Sequence, residues 1–221
     1  MGQKSQGLGV QLALVPLLIL LSMTLVDSNP NVCQKCSKGS DPLNKTKLKI
    51  IMMSQDTQDL YNSYLTHENL LDVSHQFCNV APVPWFPNRN INRAPESSML
   101  QDLHKTLIYL DDYFAGLLMQ QQERRQPTEP ALFKKMENAS LSVKGLLYNV
   151  QCALCIRGLV PDSVTPPGRT LHTSDFYRKI DGCRLLSSYS NFIRNLARAF
   201  NRQAGKRKRR RSGRGMAQIS G

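Results

Sequence analysis

Six cysteines are the side chains whose type and spacing could first be asked to do chemistry. Cys33-Gln-Lys-Cys36 and Cys152-Ala-Leu-Cys155 repeat the C-x-x-C spacing, while Cys78 and Cys183 stand alone. A redox dithiol of that spacing sits at the start of a helix that follows a strand. Two such pairs also supply the four thiolates of a tetrahedral zinc site. The redox context is absent, because Cys33 and Cys36 lie in a loop-like stretch before a helical segment and Cys152 and Cys155 lie at the end of one, and an oxidising compartment disfavours four zinc-bound thiolates. The even number instead points to three structural disulfides in an oxidising compartment. The four histidines, His67, His75, His104 and His172, show no H-E-x-x-H pairing, and there is no Walker loop, dinucleotide fingerprint or G-x-S-x-G elbow. The sequence therefore predicts no catalytic residue, no metal and no cofactor, and a protein that is not an enzyme.

The N-terminus indicates the compartment. Lys4 precedes an apolar run from Val10 to Val26 that ends at Val26-Asp27-Ser28, the layout of a cleaved secretory signal over residues 1–28. Gln11, Pro16, Ser22 and Thr24 make the run a poor membrane span. No later segment reads as apolar enough to cross a bilayer, so the expected product is secreted and soluble. About 190 residues remain, enough for one domain with a single core. Asn44-Lys-Thr46 and Asn138-Ala-Ser140 are glycosylation acceptors on such a route.

The formal net charge of +13 is concentrated at one end. Beyond Phe200 there are eight basic residues and no acidic one, six of them contiguous as Lys206, Arg207, Lys208, Arg209, Arg210 and Arg211. Outside the cell such a run suits heparan sulfate or an anionic cell surface rather than nucleic acid. Residues 201–221 are expected to be a disordered basic tail, residues 29–200 the folded domain.

Four segments must position whatever the surface carries. Leu100, Leu103, Leu107, Leu110, Phe114 and Leu117 recur three and four apart, as do Leu132, Met136, Ala139, Val143, Leu146 and Val150, then Leu186, Tyr189, Ile193, Leu196 and Phe200. Each draws one apolar stripe along a helix. A less regular first segment, about Leu43 to Leu65, is led by Leu48, Ile51 and Met52, with Leu60, Tyr61 and Tyr64 later. Ser97 or Ser98, Thr128 with Pro130, and Ser174 with Asp175 are the expected helix starts.

Connections of roughly 30, 7 and 17 residues separate these helices, the long-short-long order of an up-up-down-down bundle. The fold class is all-α, a long-chain four-helix bundle. Such a bundle brings Cys33 and Cys36 to the same end as Cys152 and Cys155, and Cys78 to the same end as Cys183. That leaves Cys78–Cys183 plus two bonds among the other four, in either order. Cross-links closing loops of this length contribute up to roughly 4–5 kcal/mol each.

Asn-Pro-Asn-Val-Cys33, Gly-Leu-Leu-Tyr-Asn-Val-Gln-Cys152, Asp-Phe-Tyr-Arg-Lys-Ile-Asp-Gly-Cys183 and Asn-Leu-Ala-Arg-Ala-Phe200 together resemble the leukaemia-inhibitory-factor-like branch of the interleukin-6 family of helical cytokines. The resemblance spans nearly the whole chain up to Phe200. It implies Cys33–Cys155, Cys36–Cys152 and Cys78–Cys183 as the pairing. It implies a cytokine that is a monomer until it bridges two partners, the leukaemia inhibitory factor receptor and the signal-transducing chain shared across the family. The family's Phe-x-x-Lys element falls on Phe176 and Lys179, which share one face of a helix's first turn and form an expected receptor contact. The shared chain would meet the exposed faces of the first and third helices, where Gly145 matches. Replacing Phe176 and Lys179 together by alanine is expected to leave the melting temperature near that of the parent.

Overall fold

The apolar stripes dictate how the chain collapses, because each helix has one face that must leave water. The computed structural model describes residues 31–36, 41–79, 83–87, 91–123, 129–168 and 174–216, with side chains of the last helix followed to Arg202. The expected leader, residues 1–28, lies outside these. The elements in order are α1 (Asn31–Gln34), α2 (Pro42–His67), α3 (Ser74–Phe77), a 3-10 turn (Ile91–Arg93), α4 (Glu96–Gln122), α5 (Pro130–Ile156) and α6 (Asp175–Met216).

The stripes of α4, α5 and α6 are buried along their length, with only Ala139 partly exposed. In α2 the buried face is a different one from that expected. Leu48 and Met52 are exposed at 53% and 72%, and the core takes Leu43, Thr46, Ile50, Met53, Thr57, Leu60 and Tyr64 instead. That face has regular helical spacing, but two threonines interrupt its apolar character. The hydroxyls of both are satisfied locally, Thr46 donating to Pro42 O at 2.9 Å and Thr57 to Ser54 O at 3.1 Å, so their methyl groups can be buried cheaply.

Cross-contacts set the directions. Lys135 Nζ donates to Ser63 Oγ at 2.7 Å, near the start of α5 and the end of α2, so these two are antiparallel. Tyr64 Oη donates to Lys179 O at 3.3 Å and Lys47 lies over the Phe200 ring, so α2 and α6 are antiparallel too. Arg157 pairs with Glu96 and Lys144 with Asp111, which makes α4 and α5 antiparallel. Gln121 meets Glu68, so α2 and α4 run the same way. This is the up-up-down-down order. The three disulfides lie at its ends as Cys33–Cys155, Cys36–Cys152 and Cys78–Cys183.

Three details depart from the expected boundaries. Helix α4 starts at Glu96 after Pro95, without a capping side chain from Ser97 or Ser98. Helix α5 is long and apolar enough to cross a membrane by length and composition, contrary to the expectation for every segment after the leader. Its stripe is turned into the bundle and charged Lys134, Lys135 and Lys144 occupy other faces, which makes it a core helix. Helix α6 does not stop at Phe200 but continues to Met216. Asn201 and Gly205 are residue types that often follow a helix, but most of the others after Phe200 are good helix formers, Arg, Lys, Gln and Ala, and basic groups suit the end of a helix dipole.

Two glycines in helices have opposite surroundings. A Cβ on Gly182 would collide with the Tyr64 ring, approaching its Cζ to 2.8 Å and Leu117 Cδ1 to 3.2 Å, so α2, α4 and α6 converge on a residue without a side chain. A Cβ on Gly145 would meet nothing within 4 Å. Gly182→Ala is expected to lower stability by about 1–3 kcal/mol through overpacking. Gly145→Ala should raise it by up to about 1 kcal/mol through helix propensity alone. Urea unfolding of both variants beside the parent measures the contrast.

His104 supplies a pH dependence. It is 2% exposed between α4 and α5, its Nε2 lies 3.4 Å from Gln151 Nε2, and its Nδ1 has no partner. Burial lowers its pKa below 6.5, outweighing the opposite pull of Asp162. Below pH 6.5 the unfolded chain then binds more protons than the folded one, so acidification destabilises the bundle until pH falls past the folded value. Melting temperatures measured from pH 7.5 to 5 should fall, and His104→Gln should flatten that part of the slope.

Candidate functional site

The most elaborate surface feature lies where α2 ends and α6 begins. Helix α2 closes with Asn69 in the left-handed region at φ 55°, Leu70 N–H bonding back to Leu65 O at 2.9 Å, a geometry asparagine tolerates better than most residues. This turn aims Glu68, whose side chain is 1% exposed, at the first turn of α6. There Lys179 Nζ pairs with Glu68 Oε2 at 3.2 Å and with Asp175 Oδ2 at 3.5 Å, while Gln121 Nε2 donates to Glu68 Oε1 at 3.4 Å. Lys179 keeps only 28% of its side chain exposed. Its charge is therefore largely used inside the protein, to join α2, α4 and α6.

Phe176 is different. It is 45% exposed, and it rests edge-on against Phe77, their ring centroids 5.7 Å apart, with the Tyr177 ring centroid 5.6 Å away. Phe77 is held by its neighbours: Cys78 is bonded to Cys183 and Arg184 Nε donates to Phe77 O at 2.7 Å. The disulfide thus fixes α3 on α6, α3 offers an aromatic base, and Phe176 stands on that base with nearly half its surface in water. Tyr177 adds 57% exposure beside it. The arrangement is a rigid aromatic ledge with apolar area to bury and few rotamers to lose, the character of an interface anchor. Phe77 and Glu68 were not singled out in the sequence. Phe77 directly precedes a bonded cysteine, which is the signal that could have found it; Glu68 has no such marker.

Gly145 lies far from this ledge, on the outward side of α5. Exposed Leu141 and Tyr148 flank it at helical spacing, and on the adjacent α2 the exposed Leu48 and Met52 are likewise turned to solvent. Since a Cβ there touches nothing, internal packing does not require glycine at 145. The six cysteines form cross-bonds in which neither C-x-x-C closes on itself, and among the described residues none is free.

Asn44 and Asn138 are both exposed and both inside helices. The hydroxyl-bearing partners of their sequons, Thr46 and Ser140, are turned inward at 0% and 7% exposure. Asn138 borders a 270 Å³ hollow between α2 and α5, with Asp56, Asp59 and Lys135. The side chains of Lys206 to Arg211 lie outside the described residues, although the helix backbone carries through them.

Comparison with known proteins agrees with this architecture. The profile of the LIF / OSM family matches residues 43–200, from the first turn of α2 to the end of the α6 stripe. Human oncostatin-M is 26% identical over 223 residues, an alignment covering 87% of this chain and 85% of that protein. The match reaches the family rather than leukaemia inhibitory factor alone. With its four antiparallel-paired long helices clamped at both ends by disulfides, and the family profile running the length of that bundle, the chain belongs to the LIF / OSM family of signalling cytokines.

Proposed function

We propose that this protein is a secreted cytokine that brings two receptor chains together. The leukaemia inhibitory factor receptor would dock on the ledge of Phe176, and the signal-transducing chain shared by the interleukin-6 family on the outward faces of α2 and α5 around Gly145. Joining them activates the kinases attached to the receptors and so drives growth, differentiation and immune responses. The observation that carries the reading is the half-exposed Phe176, held on Phe77 beside the Cys78–Cys183 bond. A core staple would be buried, whereas this ring is presented. The open surface over Gly145 supports the second contact, because a partner can approach the α5 backbone there.

In the same proposal residues 1–28 are the leader, 29–200 the cytokine domain, and 201–221 a basic extension whose Lys206–Arg211 run holds heparan sulfate. Export also suits the disulfides and the exposed Asn44 and Asn138. The burial of Thr46 and Ser140 implies that a glycan is attached before the helices close. Within the family, the segments around Cys152 and Cys183 favour the leukaemia-inhibitory-factor-like receptor pair.

Binding to immobilised ectodomains of the two receptor chains tests this. Phe176→Ala should lose affinity for the leukaemia inhibitory factor receptor by about 2 kcal/mol or more, roughly 30-fold, with little change in melting temperature. Lys179→Ala should behave otherwise, because it removes the cation paired with the buried Glu68. Breaking such a pair costs up to roughly 3–5 kcal/mol, an upper bound here since Lys179 keeps contact with water. The double variant should therefore melt lower than the parent, which revises the expectation of an unchanged melting temperature.

Gly145→Arg should leave folding intact and block the shared chain alone. Loss of both receptors in Phe176→Ala, or of neither in either variant, would overturn the two-surface reading. Binding of a different second receptor chain would preserve the bridging function and change the branch.

A further inference from the structure

The first crossover does more than connect α2 to α4. Its segment 83–87 lies along α6, with Val83 N–H donating to Ser188 Oγ at 3.1 Å and the Phe86 ring 5.5 Å from that of Phe192. Ser187 donates to Asn79 at 2.6 Å and Ser190 to Gln58 at 3.2 Å, tying the same face of α6 to the end of the α2 crossover and to α2 itself. Between these pieces remains an open groove of 840 Å³.

The walls of the groove are unlike those of an apolar docking cleft. Phe86, Pro87 and Ile91 form one side; Asn191, Arg194, Asn195 and Arg198 form another. Among the described residues no aspartate or glutamate borders it. Arg194 donates to Asn191 Oδ1 at 2.8 Å, and Arg202 Nε donates to the carbonyl of Arg198. Among the described residues no ion pair is made by Arg194, Arg198 or Arg202.

These three arginines are spaced i, i+4, i+8, so they share one stripe of α6. Like charges at that spacing repel each other, and at this position they are too far from the end of α6 for its dipole to compensate. Lys47 approaches the same end of the bundle from α2, its ammonium 5.7 Å from the Phe200 ring centroid. The helix backbone then continues without a break through the basic run at 206–211.

We infer that the groove between α6 and the first crossover, together with the Arg194–Arg198–Arg202 stripe, is a binding site for sulfated glycosaminoglycan. Guanidinium groups form paired hydrogen bonds to tetrahedral oxyanions. The asparagine amides donate to and accept from sugar hydroxyls, and Phe86 offers an apolar surface to a pyranose face. The site begins inside the folded domain, and the basic run extends it. It would seat one end of a chain whose remainder follows α6 outward. At 1.5 Å per residue the stripe lies about 27–39 Å along the helix from Phe176, which leaves the receptor ledge open while glycan is bound. The inference rests on the reading of the chain as exported, but its test does not involve receptors.

The purified full-length mature protein is bound to heparin over a range of NaCl concentrations. Alongside it are R194Q/R198Q/R202Q, which preserves helix propensity, and a variant with Lys206 to Arg211 all changed to glutamine. With the tail intact, the triple variant should elute at lower salt, and its slope of log K against log[salt] should be shallower by about 3. The tail variant should keep saturable binding. Arginine-specific chemical footprinting of the unmodified protein gives a readout independent of variant folding: heparin oligosaccharides should protect Arg194 and Arg198. Elution of the triple variant with the parent, or protection confined to the tail, would overturn the site. Equal binding of a DNA duplex of matched charge would reduce it to unspecific polyanion attraction.

Discussion

A connection of roughly thirty residues that must run the length of a bundle is entropically expensive, and the rest of the structure is organised around paying that cost once. The first crossover is pinned at its start by Cys78–Cys183, partway by Val83 on Ser188, and by the aromatic cluster of Trp85 with Phe86, Tyr109 and Tyr113. Every one of these anchors is on α4 or α6, or joins the crossover to itself. The crossover therefore fixes the spacing of α4 and α6 while being fixed by them. Both surface features follow: Phe77, at its start, supports Phe176, and Phe86, in its middle, walls the polar groove.

Much of this architecture can be read directly. The stripes of α4, α5 and α6 are unbroken runs of large apolar residues, and burial follows spacing. The lengths of the connections indicate the order of directions, and the order places the cysteines at matching ends. Helix α2 is harder because Thr46 and Thr57 occupy core positions. A threonine that bonds its own backbone is apolar to its neighbours yet polar to a reader of sequence. Leu48 and Met52 then attract attention as the apolar leaders although they point to water. The continuation of α6 past Phe200 is hidden for a related reason: the apolar stripe ends there, but most of the residues that follow are still good helix formers.

The Phe-x-x-Lys element shows how far spacing can lead and where it stops. Positions i and i+3 do share a face, and both residues occupy the first turn of α6. What spacing could not convey is that Glu68 reaches that turn from another helix, through a turn that depends on Asn69 at positive φ. One residue of the pair presents itself while the other holds the helix ends together. A buried charge pair is a weak source of net stability but a strong source of register, since the misaligned alternative leaves a carboxylate unpaired. Lys179 can thus matter to a receptor contact by fixing where Phe176 stands.

Glycine makes the same point in its plainest form. Gly145 and Gly182 are both in long helices, where glycine costs stability against alanine, and nothing in their local sequence explains why either is there. Around Gly182 the explanation is internal, because Tyr64 and Leu117 fill the space a side chain would need. Around Gly145 the space is empty, so the helix accepts a poorer former without any gain in packing. The open backbone at Gly145, flanked by exposed Leu141 and Tyr148, is where a second molecule could recover that cost by close approach. The Arg194–Arg198–Arg202 stripe has the same logic in electrostatic form, a repulsion with no ion pair among the described residues to offset it, which an anionic chain would relieve.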